Sequence, residues 1–144
     1  MPVTWEKKYL AQRYQNAVNN AQGHFFEDAI KDGCAYYSAR GRAEIDKTPE
    51  PFRVMEKLGG GIFKGRFTAP AQPDFQGTLA GGRSIVFEAK YTTTDRLKRD
   101  VLTGEQQDTL ARHAARGAVA AVCAGIGNNF FFVPWAVWRE MKEH

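Results

Sequence analysis

Two carboxylates and a lysine in the middle of the chain have the types and spacing of a phosphodiester-cleaving site. Asp74 follows Pro73, and Glu88, Ala89 and Lys90 stand together further along. Side chains alternate along a strand, so Glu88 and Lys90 share one face while Ala89 points to the other. In a hairpin, Asp74 would lie opposite Glu88 at about 5 Å between Cβ atoms.

Opposed carboxylates repel each other unless a hard divalent cation lies between them. We therefore predict a Mg²⁺ site, with Mn²⁺ as the alternative. Its ligands would be Asp74, Glu88 and the backbone carbonyl of Ala89, completed by phosphate oxygens of the substrate. The cation would polarise the phosphodiester and lower the pKa of an attacking water. Lys90 would hold that water or neutralise charge that develops on the phosphate.

The residues around this triad predict the hairpin that it needs. Residues 74–79 and 84–90 have strand composition, and the turn between them contains Gly81 and Gly82. Elsewhere the patterns predict helices over 20–39, 104–116 and 134–141, and strands over 42–47, 117–126 and 130–133. Residues 1–19 would form a further helix or an arm. This order predicts an α/β (α+β) fold with a central mixed β-sheet flanked by helices.

A basic segment that precedes the triad is a candidate DNA-binding feature. Residues 52–72 contain three consecutive glycines and would form a basic hairpin. Lys64 and Arg66 would share one face of it, with Phe63 on the other. The cations assigned to phosphate binding are Lys47, Lys57, Lys64, Arg66, Arg96, Lys98 and Arg99. Each of them alone is better explained as a solvated surface charge.

Composition limits the classes of protein to which the chain can belong. Its 144 residues, 43% of them hydrophobic, suit one packed domain over residues 1–144. A formal net charge of +4 favours a polyanionic partner. Cys34 and Cys123 lack zinc-like spacing and are interpreted as reduced packing thiols of a cytoplasmic protein. The longest apolar run, 117–126, is about half the roughly 20 residues that cross a bilayer, so no membrane role is predicted.

Five stretches, in order along the chain, resemble the RecU-type Holliday-junction resolvases of the PD-(D/E)XK nuclease superfamily. They are Gly23-His24-Phe25-Phe26-Glu27, Ala43-Glu44-Ile45-Asp46-Lys47 leading to Pro49 and Pro51, Asp74-Phe75-Gln76-Gly77, Phe87-Glu88-Ala89-Lys90, and Gln106-Gln107. The triad alone recurs often by chance, whereas this succession is much more specific. The resemblance implies a restriction-endonuclease-like fold and a dimeric, Mg²⁺-dependent enzyme. Such an enzyme makes paired nicks in strands of like polarity at four-way DNA junctions.

The resemblance also implies roles for individual residues. Glu27 resembles the helix carboxylate that supports the metal site, and the acidic pair of the triad resembles the metal ligands. Lys90 resembles the catalytic lysine, and Gln106 the polar helix residue that faces the site. Residues 52–72 are similar in position to the stalk that enters the junction centre in this family, but they are shorter and rich in glycine. The length of the chain fits a compact bacterial or phage-encoded relative.

Two other functions remain open from the residues alone. The same metal chemistry fits a less selective phage or restriction-type nuclease acting on ordinary duplex DNA, and the fold fits a DNA-binding module without catalysis. Taken singly, Asp74 is also explained as a turn residue, Glu27 as an exposed helix residue and Gln106 as a first-turn helix residue. Branched DNA and a second copy of the chain are the expected partners, with neither a membrane nor a small-molecule cofactor.

Overall fold

The computed structural model describes residues 5–49, 52–67 and 72–141, and the side chains within 21–49, 53–66 and 72–141. The helices are α1 (Trp5–Ala39), α2 (Gly104–Ala115) and α3 (Trp135–Trp138), with a short 3₁₀ helix at Arg99–Val101. The strands are β1 (Ala43–Lys47), β2 (Phe52–Gly59), β3 (Ile62–Phe67), β4 (Phe75–Leu79), β5 (Ser84–Thr92), β6 (Val119–Ile126) and β7 (Asn129–Pro134). Parts of the predicted segment 52–72, and of the extended stretch after β1, lie outside the described residues.

Five of these strands form one mixed sheet in the order β1-β4-β5-β6-β7. Strands β5 and β6 run parallel, and the other neighbours are antiparallel. A parallel pair needs a long crossover because a tight turn reverses the chain, and here the crossover contains α2. Helix α1 packs on one face of the sheet, and α2 and α3 pack on the other. The predicted mixed sheet flanked by helices is therefore confirmed.

The central strand β5 is buried on both faces, which explains its continuous apolar run. On the α1 side, the ring of Phe87 stacks on that of Phe75, with centroids 5.0 Å apart and planes at 10°. On the other side, Val86 packs with Leu110 of α2. Glu88 follows directly after this run, and its side chain is buried by the protein itself, without a substrate.

Gly77 allows β1 and β4 to approach each other closely. A Cβ atom on Gly77 would lie 1.9 Å from the carbonyl oxygen of Glu44 and 2.7 Å from the Cα of Ile45. Both atoms belong to the backbone of β1, in which Ile45 is the register partner of Gly77. Only a residue without a side chain fits at this position.

Two predicted helices differ in extent from the observed ones. Helix α1 is continuous from residue 5 to residue 39, so the N-terminal segment is helical from residue 5, as one alternative predicted, and is not separate from the helix predicted over 20–39. Helix α3 ends at Trp138 and does not reach Met141. Beyond it, the N–H of Glu140 donates to the carbonyl of Val137, and that of Met141 to Trp138, each at 3.1 Å. These bonds span three residues, so the chain leaves the α-helix through tighter turns.

Strands β2 and β3 form a separate two-stranded antiparallel sheet. Its register pairs Arg53 with Arg66 and Glu56 with Lys64, and it pairs Lys57 with Phe63. Lys64 and Arg66 therefore share one face and Phe63 lies on the other, as the alternation predicts. None of the described helices combines the length and apolar character needed to span a membrane.

Candidate active site

Asp74 is held at the start of β4 by contacts from the strands on both sides. The antiparallel register of β4 and β5, continued by one residue, puts Asp74 opposite Glu88. Its Oδ2 atom accepts a hydrogen bond from the backbone N–H of Ala89 at 2.9 Å. The N–H of Thr48, just beyond β1, donates to the carbonyl oxygen of Asp74 at 2.8 Å. Both the backbone and the carboxylate of Asp74 are thus positioned by the sheet.

Glu88 is a buried carboxylate beside a second one. Only 2% of its surface is exposed, and its Oε2 atom has no hydrogen-bond partner among the described residues. Burial, followed by the hydrogen bond and negative charge of Asp74, raises the pKa of Glu88 to about 8, while Lys90 opposes the shift. An unpartnered oxygen in such a place is costly. A cation at this point would offset the cost by favouring the charged form.

The donor set of this pair fits Mg²⁺. No group of three or more His, Cys, Asp or Glu side chains within the described ranges could hold a metal ion. Mg²⁺ does not require one, because it keeps several waters and commonly takes one or two protein carboxylates together with substrate phosphates. Asp74 and Glu88 would supply those carboxylates. The N–H of Ala89 is already bonded to Asp74, and its carbonyl as a third ligand stays a prediction.

Glu88 should make the metal-free protein less stable as the pH rises. Its pKa in the fold, about 8, exceeds its ordinary value of 4.5, so between these two pH values the folded state holds a proton that the unfolded state releases. The contribution of Glu88 to the free energy of unfolding in EDTA is therefore expected to be fully present below pH 4.5 and to be lost as the pH rises to about 8. Urea denaturation at a series of pH values measures it. The variant Glu88→Gln should lose this dependence of the unfolding free energy on pH. The control Glu140→Gln, which removes an exposed carboxylate, should keep it. Equal dependence on pH in wild type and Glu88→Gln would contradict the raised pKa of Glu88.

Lys90 lies on the same strand face as Glu88, two residues further along β5. Its ammonium is near enough to lower the pKa of that carboxyl. The loop after β5 carries the predicted phosphate-binding cations Arg96, Lys98 and Arg99, of which the first two are exposed and the third is half-buried. These cations follow β5 in the chain, and their binding of phosphates near the acidic pair stays a prediction.

Glu27 and Lys47 form an ion pair at the same end of the sheet. The Nζ atom of Lys47 lies 2.6 Å from the Oε2 atom of Glu27. Lys47 is the register partner of Phe75, whose ring packs on the α1 side, so this pair lies on that side. Asp74 lies one residue from Phe75 in the chain. Alternation turns the side chain of Asp74 to the other face, so the predicted helix carboxylate lies at the same end of the sheet but on the opposite face, with a lysine as its partner. Its support of a metal stays a prediction.

Gln106 has a structural task at the start of α2. Its Oε1 atom accepts a hydrogen bond from the Thr103 N–H, and its own N–H donates to the Thr103 hydroxyl, each at 3.1 Å. This reciprocal capping box satisfies backbone donors that a helix N-terminus leaves free. The neighbouring Gln107 donates from its amide to the carbonyl of Leu102 at 3.1 Å. The role of Gln106 in facing the active site stays a prediction.

The predicted cations of the β2–β3 hairpin are all exposed, namely Lys57, Lys64 and Arg66. Sequence reasoning missed a further set of polar residues on one flank of α2, which line a cavity of about 550 Å³ together with residues around Asp74. Their signal in the sequence is helical spacing, because Thr109, Arg112 and Arg116 follow one another at intervals of three and four. That spacing predicts a shared helix face but not what lies opposite it.

The two cysteines belong to the core layer between α1 and the sheet. Cys34 and Cys123 are free thiols that pack against the apolar residues of that layer. Burial raises the pKa of both thiols, that of Cys123 to about 11. A raised pKa disfavours the reactive thiolate. The structure agrees with their interpretation as packing residues.

Comparisons with known proteins give one family and a distant structural likeness. The profile of the family described as Recombination protein U matches residues 21–143. Among solved structures, the chain is similar to Hjc, a Holliday junction resolvase from Archaeoglobus fulgidus, with 20% sequence identity and a TM-score of 0.44. That similarity covers 78% of this chain and 77% of the other. No curated protein shows a significant match.

Proposed function

The chain belongs to the Recombination protein U family, and from that membership we propose that it is a Mg²⁺-dependent endonuclease that resolves four-way DNA junctions by paired nicks in strands of like polarity. The observation that carries the proposal is the pair formed by Asp74 and Glu88, with Lys90 on the same strand face. A DNA-binding module without catalysis has no need of a buried carboxylate whose oxygen lacks a partner among the described residues.

Each residue of the triad has a separate task in this mechanism. Bound Mg²⁺ would supply Lewis acidity and a hydroxide nucleophile at neutral pH. Asp74, oriented by the Ala89 N–H, and the buried Glu88 hold the position for the cation. Lys90 orients the attacking water or meets the negative charge that develops on the scissile phosphate. The buried surroundings of Glu88 strengthen these electrostatic interactions, because little water screens them.

Paired nicking requires two active sites related by symmetry. A homodimer with two-fold symmetry would give one site to each of two equivalent strands. The exposed β2–β3 hairpin is proposed to contact the junction through Lys57, Lys64 and Arg66. Arg96, Lys98 and Arg99 are proposed to bind backbone phosphates near the triad, where each neutralised phosphate adds to the salt dependence of binding.

The test compares a four-way junction with a linear duplex of the same sequence. Each strand is labelled in turn, and the cleavage rate and nick positions are measured with Mg²⁺, with Mn²⁺ and with EDTA. We expect cleavage only with a divalent cation, a strong preference for the junction, and nicks at symmetric positions in two strands of like polarity.

Each part of the proposal has its own contrary result. Equal rates on junction and duplex would favour the less selective nuclease instead. Binding of junctions without cleavage under any divalent cation would favour the non-catalytic module. Unpaired nicks at unrelated positions would contradict the dimeric mechanism while leaving the metal site intact.

A further inference from the structure

A groove runs beside the carboxylate pair, between the start of β4 and one flank of α2; we call it the α2 groove. It has a volume of about 550 Å³ and is lined by Gln72, Pro73, Gln76, Glu105, Thr109, Arg112, His113 and Arg116. The first three come from the chain around Asp74, the next four come from α2, and Arg116 is the residue that caps the C-terminus of α2. None of them is among the residues that the sequence assigned to DNA binding.

The α2 groove lies beside the active site, since Pro73 precedes Asp74 in the chain and lines the groove. Gln76 is two residues beyond Asp74, so both side chains lie on the same face of β4, about 7 Å apart along the strand. Gln76 is the register partner of Val86, which lies two residues before Glu88 on β5. Val86 packs against Leu110 of α2, so this is the sheet face that α2 covers. The carboxylate pair and the groove therefore lie next to each other on one face of the sheet.

The wall formed by α2 presents two arginines. An Nη2 donor of Arg112 bonds to the hydroxyl of Thr109 at 3.1 Å, and an Nη1 donor of Arg116 bonds to the carbonyl of Arg112 at 3.0 Å. Neither guanidinium is in an ion pair with a carboxylate in the described part of the chain, including Glu105 on the same wall. Each arginine has five N–H donors, so both keep donors for an anion. These bonds fix the side chains along the helix and hold their charge beside the groove.

We propose that the α2 groove binds backbone phosphates of the cleaved strand next to the scissile phosphate, with Arg112 and Arg116 as the contacts. The proposal rests on the proposed nuclease function, because that function places the scissile phosphate at Asp74 and Glu88. The spacing of about 7 Å between Asp74 and Gln76 along the strand puts the near wall of the groove within a few nucleotides of that phosphate, because each phosphate of one strand advances by roughly 3.4 Å along the helix axis. Guanidinium groups bind phosphate through paired hydrogen bonds. His113 and the amides of Gln72 and Gln76 provide further hydrogen-bond donors on both walls.

Binding measurements with charge-neutral variants test the arginines. The junction dissociation constant is measured in EDTA over a range of salt concentrations for wild type and for Arg112→Gln combined with Arg116→Gln. We expect the double variant to bind about tenfold more weakly, and the slope of log affinity against log salt to shrink by about 1 to 2, since each phosphate contact contributes about 0.9. Arg112→Lys combined with Arg116→Lys should restore most of the slope.

A matched control removes two charges elsewhere. Arg40 and Arg42 are exposed and shortly precede β1, whose first residue, Ala43, pairs with Leu79 at the end of β4 remote from Asp74. Arg40→Gln combined with Arg42→Gln should leave both the affinity and the salt slope close to those of wild type. Equal losses in this control and in the groove variant would show a general charge effect and overturn the proposal.

Neutral phosphates placed one at a time test the position. A methylphosphonate is introduced at each position within three nucleotides of the mapped nick. In wild type, a neutral group at one or two of these positions should reduce the salt slope by about 1, and the same group should have no added effect on the Arg112→Gln, Arg116→Gln variant. Additive effects of the neutral phosphate and the double substitution at every position would overturn the proposal. If the variant is unstable, the wild-type scan decides, and an unchanged salt slope at every position would overturn it. If wild type neither binds nor cleaves the junction, the proposed function itself fails. If wild type does both, and the groove variant behaves like wild type, only the assignment of the α2 groove fails.

Discussion

Replacing Asp74 with asparagine should abolish Mg²⁺-dependent cleavage while leaving DNA binding intact. Asparagine has nearly the same shape, and its side-chain oxygen can still accept the hydrogen bond from the Ala89 N–H. It lacks the negative charge that a cation needs from its ligand. Loss of metal assistance removes several kcal/mol of transition-state stabilisation, so the single-turnover nicking rate should fall by about 10³-fold or more.

The matched control for this variant is Asp108→Asn, which removes an exposed carboxylate from α2. Its nicking rate should stay close to that of wild type. Junction binding in EDTA should be equal for all three proteins. Unchanged nicking by Asp74→Asn would refute the site assignment, and a simultaneous loss of binding and of thermal stability would show that Asp74 is chiefly structural.

Gly77→Ala is expected to be the most destabilising single methyl addition in the sheet. The new Cβ atom would meet the carbonyl oxygen of Glu44 at 1.9 Å, and this oxygen belongs to the paired backbone of β1. A flexible side chain could turn away, but a strand backbone can move only by weakening the ladder that holds it. We expect the free energy of unfolding to fall by about 3 kcal/mol, at the upper end of overpacking costs.

The control for this substitution lies in α1, where Gly33 has open space around its missing side chain and a helical backbone. Gly33→Ala should raise stability by about 0.5 to 1 kcal/mol, because alanine favours the helix interior. Urea denaturation of both variants measures the contrast. Equal effects on stability would contradict the close approach of β1 and β4. Since Thr48 beyond β1 also holds Asp74, Gly77→Ala should reduce nicking as well.

Each residue of the run Asp74-Phe75-Gln76-Gly77 has its own physical role. The aspartate supplies a carboxylate, and Phe75 stacks on Phe87 in the core. Gln76 lines the α2 groove, and the glycine lets an edge strand approach. The sequence alone predicted the first of these roles. The other three depend on neighbours that are remote in the chain.

The sequence by itself determined the parts of the site that depend on local geometry. Alternation along β5 places Glu88 and Lys90 on one face, and a short glycine-containing turn brings Asp74 back opposite them. Both features depend only on residues that are near one another in the chain. The capped start of α2 and the apolar run of β5 are equally local signals.

Only the tertiary structure decided which remote segments meet. The pairing of β1 with β4, the ion pair between Glu27 and Lys47, and the cavity between β4 and α2 each join residues distant in sequence. Such contacts depend on how the helices pack across the whole sheet, and side-chain periodicity carries no information about the partner of a given face. The burial of Glu88 is decided in the same way, because the packing around the central strand removes water from that carboxylate and raises its pKa.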